Sequence, residues 1–95
     1  MSRWRFPVPK VYKVVLRRVA QKGWQDIYRR DLEGATRAYQ HLCTTPLLRV
    51  PGKVKKLRGK WAGLLQYRVN RSDRLQYWVD KDAGIVYVEY AGPHP

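Results

Sequence analysis

Three stretches in the second half of the chain alternate apolar and polar residues: LLQYRVN (64–70), RLQYWVD (74–80) and IVYVEY (85–90). A period of two places successive side chains on opposite faces of a strand, so these segments predict three β-strands. A fourth, basic strand candidate, VKKLRGKW, follows Pro51 and Gly52. Near the start, Val11, Tyr12, Val14, Val15 and Leu16 form a β-favouring run that ends near Arg18; apolar residues on both of its faces predict a central strand. Between Gly23 and Thr44 the period changes. Trp24, Ile27, Tyr28, Leu32, Ala35, Ala38, Tyr39 and Leu42 recur at helical spacing with no Pro among them, which predicts helices over 23–30 and 32–43. Asp31 is placed to cap the second helix, and Thr44, Thr45 and Pro46 to stop it. The expected fold class is α+β: an N-terminal strand and two helices packed on one face of an antiparallel sheet of four to five strands.

The alternation also assigns faces. Leu65, Tyr67, Val69, Leu75, Tyr77, Val79, Val86, Val88 and Tyr90 are the expected core set. Pairing Val69 with Leu75 and Tyr67 with Tyr77 keeps like parity together and leaves a loop at Arg71–Asp73. Pairing Val79 with Val86 leaves the turn Lys81–Gly84. The opposite face then carries Gln66, Arg68, Asn70, Arg74, Gln76, Trp78, Tyr87 and Glu89. In that register Arg68 and Arg74 are diagonal neighbours. Two arginines beside flat aromatic rings can hold a phosphodiester and stack a base. The same pattern also describes a solvated face on which Glu89 neutralises Arg74.

Composition sharpens this choice. The 95 residues hold 20 Lys and Arg against 7 Asp and Glu, a net charge of +13, and the cations lie inside the patterned segments rather than in a tail. A small domain with that imbalance repels itself unless a polyanion offsets it, which points to nucleic acid. The length fits one domain, 1–95, with Pro7 and Pro9 keeping 1–9 as an extended N-terminal arm. The single cysteine, Cys43, forms no internal disulfide and has no partner at metal-ligand spacing. No apolar run is long enough to cross a bilayer, so a cytoplasmic protein with no membrane partner is expected.

The order LRGKWAGLLQYRVNRSDRLQYWVD, then IVYVEYAGPHP, resembles the RelE/ParE toxin superfamily of type II toxin–antitoxin systems. The matching positions are Leu57, Arg58 and Gly59, then Tyr67 and Arg68, then Arg74 and Tyr77, and finally Gly92 and His94. The resemblance implies a helix-on-sheet toxin whose RNA-cleaving members cut messenger RNA on the ribosome, without metal or other cofactor, and whose partner is a cognate antitoxin protein. In that chemistry a ribose 2′-hydroxyl attacks the adjacent phosphorus, so the protein must align the attack, move two protons and neutralise added negative charge. The implied catalytic set is Arg74 for transition-state charge, Arg68 as an aligned phosphate contact, and His94 for proton transfer, with Glu89 as a further candidate base. Lys53, Lys55, Lys56, Arg58 and Lys60 form the expected basic approach to RNA, with Trp78 and Tyr87 as its aromatic component. RNA-cleaving members commonly carry a Tyr shortly after the position of His94; Pro95 follows here, and Tyr87 is read as its substitute. Two other functions remain: the resemblance also implies a ParE-like, non-catalytic inhibitor of DNA gyrase as an alternative, and the charge and aromatic residues alone fit a non-toxic basic RNA- or ribosome-binding module.

Overall fold

A computed structural model describes residues 11–94, so the expected arm at 1–9 lies outside the described residues. In chain order the elements are β1 (Lys13–Leu16), α1 (Arg18–Arg30), α2 (Leu32–Thr44), β2 (Val54–Lys56), a short 3-10 turn (Gly59–Trp61), β3 (Leu65–Arg68), β4 (Asp73–Asp80) and β5 (Ile85–Pro93). The five strands make one sheet in the order β1-β5-β4-β3-β2. The last four strands are antiparallel in sequence, and β1 joins β5 in parallel, so the sheet is mixed.

The core lies between helices and sheet. Ala20 and Ile27 of α1 and Ala35, Ala38 and Leu42 of α2 meet Tyr67, Leu75, Tyr77, Val86, Val88 and Ala91, all buried. Each large apolar side chain so buried contributes about 1.5–3 kcal/mol. Asp31 caps α2 as expected, its Oδ1 accepting from the Gly34 amide at 2.8 Å. One polar chain crosses the core. The Tyr77 hydroxyl donates to the Pro46 carbonyl at 2.6 Å and therefore accepts from His41 Nε2, 3.2 Å away; His41 Nδ1 is left to accept from the Thr45 hydroxyl at 3.3 Å. That sequence fixes His41 as a neutral Nε2–H tautomer, and burial holds its pKa below the ordinary value.

Four expectations change. Among the described residues the first strand is an edge strand, not a central one: Val15 pairs with Tyr87, and no described strand lies on its other side. Helix α1 begins at Arg18 rather than Gly23. Gly23 lies inside the helix because a Cβ there would collide with the Ala91 carbonyl of β5, so the glycine permits close helix–sheet contact rather than a break. The β3–β4 register is displaced by two residues, pairing Tyr67 with Leu75 and Arg68 with Arg74. Its cause is Asn70, whose Oδ1 accepts from the amides of Ser72 and Asp73 and closes a wider loop than parity alone requires. Val79 does pair with Val86, as expected, but a bulge follows. Tyr77 pairs with Val88 and Gln76 with Tyr90, so Glu89 is an extra residue and the phase of β5 reverses beyond it. Ala91 takes the core position opposite Leu75, and Tyr90 is turned out of the expected core set.

Candidate functional site

The shifted register sets Arg68 directly opposite Arg74. Like charges facing each other on adjacent strands oppose folding, and an anion between them removes the penalty. Arg74 is held in place. Its Nη1 donates to the carbonyls of Asn70 (2.8 Å), Asp73 (3.2 Å) and Arg71 (3.4 Å), which leaves the rest of the guanidinium fork for a ligand. Arg68 is exposed.

Both arginines border a cavity of about 270 Å³, together with Lys53, Lys55, Gln66 and His94. Four elements converge there. Strand β2 brings the lysines, since Lys55 pairs with Gln66 and the Lys53 carbonyl accepts from the Arg68 amide at 2.7 Å. Strands β3 and β4 supply the arginines, and the residue after β5 supplies His94, whose amide donates to the Ser72 carbonyl at 2.9 Å. Gln66 and Gln76 are buried, paired in register and hydrogen-bonded side chain to side chain at 3.4 Å, a neutral floor beneath the cations. Among the described residues no carboxylate lines the cavity. Five of the residues singled out from sequence, Lys53, Lys55, Arg68, Arg74 and His94, are therefore brought together.

The others are distributed around this centre. Lys56 and Arg58, with Lys55 and Arg49, border a broader open depression that continues the basic surface from the cavity. Lys60 lies over the Trp61 ring at 5.3 Å in the 3-10 turn. Trp78 and Tyr87 stack on each other with centroids 4.6 Å apart, and the Arg17 guanidinium covers Tyr87 at 4.7 Å. Glu89 ties this stack together, accepting from Trp78 Nε1 at 2.7 Å and from Arg17 Nε at 3.2 Å. Its salt-bridge partner is thus Arg17, not Arg74, and its carboxylate is absent from the cavity lining. Tyr87 is likewise not on that lining, which removes the geometric basis for its substitution of a terminal Tyr.

Three residues were missed. Arg17 was not singled out from the sequence; its role appears through the parallel β1–β5 pairing, which alternation cannot reveal. Arg49 lies between Pro46 and Pro51 in a segment with no periodicity, and only tertiary packing brings it to Lys56. Tyr90, assigned to the core, is turned by the bulge to the side of Arg74: it pairs with Gln76, a Cβ on Gly92 would lie 3.1 Å from its hydroxyl, and that hydroxyl donates to the Pro93 carbonyl at 2.6 Å.

On the core side, burial raises the pKa of Tyr67 and of Tyr77, so both phenols stay protonated and neutral beneath the basic surface. Lys53 lies over the Tyr67 ring at 5.7 Å. Among the described residues no group of three or more His, Cys, Asp or Glu side chains is arranged to hold a metal ion, and no helix is long and apolar enough to cross a membrane.

No protein-family model and no curated protein matches the chain. Solved structures do match. A chain of the heterotetrameric YoeB–YefM toxin–antitoxin complex from Staphylococcus aureus superposes with a TM-score of 0.70 at 20% identity, covering 88% of this chain and 98% of that one. The YoeB/ParE toxin from Agrobacterium tumefaciens gives 0.72 at 22% identity, with 87% and 99% covered. A chain of the RelBE2 toxin–antitoxin complex from Mycobacterium tuberculosis gives 0.60 at 24% identity, with 88% and 92% covered. This chain therefore shares the fold of these structures over nearly their whole length.

Proposed function

We propose that this chain is the toxin of a type II toxin–antitoxin pair and that it cleaves messenger RNA on the ribosome by metal-independent transesterification. The observation that carries the reading is the meeting of Arg68, Arg74, His94, Lys53 and Lys55 around one cavity, in a chain that shares the fold of toxin structures. Attack of a 2′-hydroxyl on the neighbouring phosphorus adds negative charge to the non-bridging oxygens. Arg74, fixed by loop carbonyls and permanently charged, faces that charge with the remaining donors of its fork. Arg68, opposite, holds the same phosphate from the other strand. His94 brings to the cavity an imidazole, a group able to accept one proton and donate another. Lys53 and Lys55 bind the flanking phosphates, and Lys56, Arg58, Lys60 and Arg49 extend the path. The sandwich of Arg17, Tyr87 and Trp78 offers a flat edge against which RNA bases pack. An antitoxin protein that covers this surface is the partner the reading requires, as two of the matching structures are toxin–antitoxin complexes.

The test is primer extension on messages in a cell-free translation reaction supplied with the wild-type chain or Arg74→Ala. Cleavage by the wild type, lost in the variant while its melting transition persists, supports the reading. Intact messages together with DNA breaks in producing cells transfer it to gyrase inhibition. Harmless high-level production with salt-sensitive RNA binding reduces it to a plain RNA-binding module.

A further inference from the structure

The loop between β3 and β4 does more than reverse the chain. Its carbonyls at Asn70, Arg71 and Asp73 accept from Arg74 Nη1, and the one at Ser72 accepts from the His94 amide. Every carbonyl from residue 70 to 73 thus accepts from one of the two residues assigned to chemistry, the one at Asp73 also from the Val69 amide at 3.0 Å. The loop itself is fixed by one side chain. Asn70 Oδ1 accepts from the amides of Ser72 and Asp73, both at 2.8 Å, while Nδ2 donates to Asp31 Oδ2 at 2.8 Å and to Asp73 Oδ2 at 3.2 Å. Asp31 is the cap at the α1–α2 junction, and Arg30, the last residue of α1, donates to Asp73 Oδ1 at 2.7 Å. Asp73 is only 3% exposed, while Arg30 is exposed and Asn70 and Asp31 are half-buried, so the ion pair and the Asn70 bonds join a buried carboxylate to the solvent-facing helix junction.

We propose that Asn70 is a positioning residue: it fixes the carbonyls that aim Arg74 and anchor His94, and through Asp31 it makes the α1–α2 junction part of the scaffold of the site. The inference rests on the reading that Arg74 and His94 act on RNA. Closing the turn requires only an oxygen at position 70, which Asp or Ser would also supply. What Asn adds is the pair of donors on Nδ2, directed at two carboxylates. An Asp at 70 would place a third carboxylate there. The hydrogen bond from Asn70 also holds the Asp31 carboxyl below the usual carboxylate range, with the Gly34 amide next in effect, in keeping with a tether that is formed.

Donor and acceptor can be exchanged across this contact. Asp31→Asn keeps an oxygen for the Gly34 amide, and so the helix cap, but presents an amide NH2 to the NH2 of Asn70. Asn70→Asp keeps the turn and removes both donors. Combining the two restores one hydrogen bond in the reverse direction, with Asp73 still facing a carboxylate at 70, so recovery is partial. Displacing a catalytic group by about 1 Å costs on the order of a hundredfold in rate, so each single variant is expected to cleave about 10- to 100-fold more slowly. The RNA concentration for half-saturation should stay unchanged, melting should remain cooperative, and the double variant should regain about tenfold over the slower single one. A second measurement is independent of activity: the Arg74 side-chain NMR signal should be sharp and slowly exchanging in the wild type, should broaden in each single variant and should sharpen again in the pair. Single variants that cleave at the wild-type rate, or a pair no faster than the worse single variant, overturn the inference. If Arg74→Ala proves fully active, the catalytic reading falls, and the NMR comparison still decides whether Asn70 positions Arg74.

Discussion

Replacing Arg68 by Gln should make the protein more stable and less active. Arg68 and Arg74 are direct register partners, so their Cβ atoms lie about 4.5–5.5 Å apart on the same face. With the charged heads splayed to about 7 Å, repulsion is about 0.6 kcal/mol at the dielectric of water and about 2.4 kcal/mol at an effective value of 20. Arg68 is exposed, so the lower part of that range applies, and relief of about 0.5–1 kcal/mol should raise the melting temperature by roughly 2–8 °C at low salt. In 1 M salt, where the screening length is about 3 Å, the gain should vanish. The same change removes one phosphate contact. The salt slope of single-stranded RNA binding should fall by about 0.7, and loss of a charged hydrogen bond worth about 1.5–3 kcal/mol should slow cleavage roughly 10- to 150-fold. Thermal melts at two salt concentrations, beside RNA-binding and cleavage assays, measure all of this. Lys13→Gln, on the exposed β1 edge, controls for net charge alone. If Arg68→Gln melts no higher than that control, or if its gain persists at 1 M salt, repulsion between the paired arginines is not what the site holds in check.

Three further outcomes follow from the core. Tyr77→Phe keeps the ring but strips the partner from the buried Pro46 carbonyl and from His41 Nε2; urea unfolding should register a loss of about 2–4 kcal/mol, and a loss under about 1 kcal/mol would contradict the hydrogen-bond chain described. His41 has a folded pKa below its unfolded value near 6.5, so its contribution is fully present above that value and is lost as pH falls through the folded pKa. Melting temperature should accordingly decline as the buffer is taken from pH 7 toward 5, and His41→Gln should show a shallower decline. Gly23→Ala gains about 1 kcal/mol in helix propensity but drives a Cβ into the Ala91 carbonyl, so the net effect should be a loss of about 1–3 kcal/mol; a variant melting above the wild type would contradict the close packing of α1 on β5.

Alternation made the faces of β3 and β4 legible, because a two-residue displacement preserves parity: Tyr67, Leu75 and Tyr77 are buried even though their pairing differed from expectation. The same invariance placed Arg68 and Arg74 correctly on one face, although the expected register made them diagonal and the structure sets them opposite each other. That distinction rests on the Asn70 loop, whose bonds reach Asp31, 39 residues away in sequence. The bulge was illegible because an inserted residue carries no local signature, and the apolar Tyr90 continued the pattern of Val86 and Val88. Glu89 was assigned to Arg74 because both lay on the open face; Arg17 reaches it instead through a parallel pairing between the two ends of the chain. The N-terminus of α1 gave no signal because Arg17 precedes it without a side-chain cap.

The extra residue in β5 divides that strand into two reading frames. Up to Val88 one frame serves the core; from Tyr90 onward the complementary frame serves the end of the sheet where Arg74 faces Gly92. Removing one residue near Glu89 would join the frames, sending Tyr90 inward and Ala91 outward and reversing the approach of the chain to His94. Substitutions along β5 change one contact each, whereas a change of length by a single residue re-sorts the whole C-terminal segment. The length of β5 thus sets which of its residues face the core and which face Arg74.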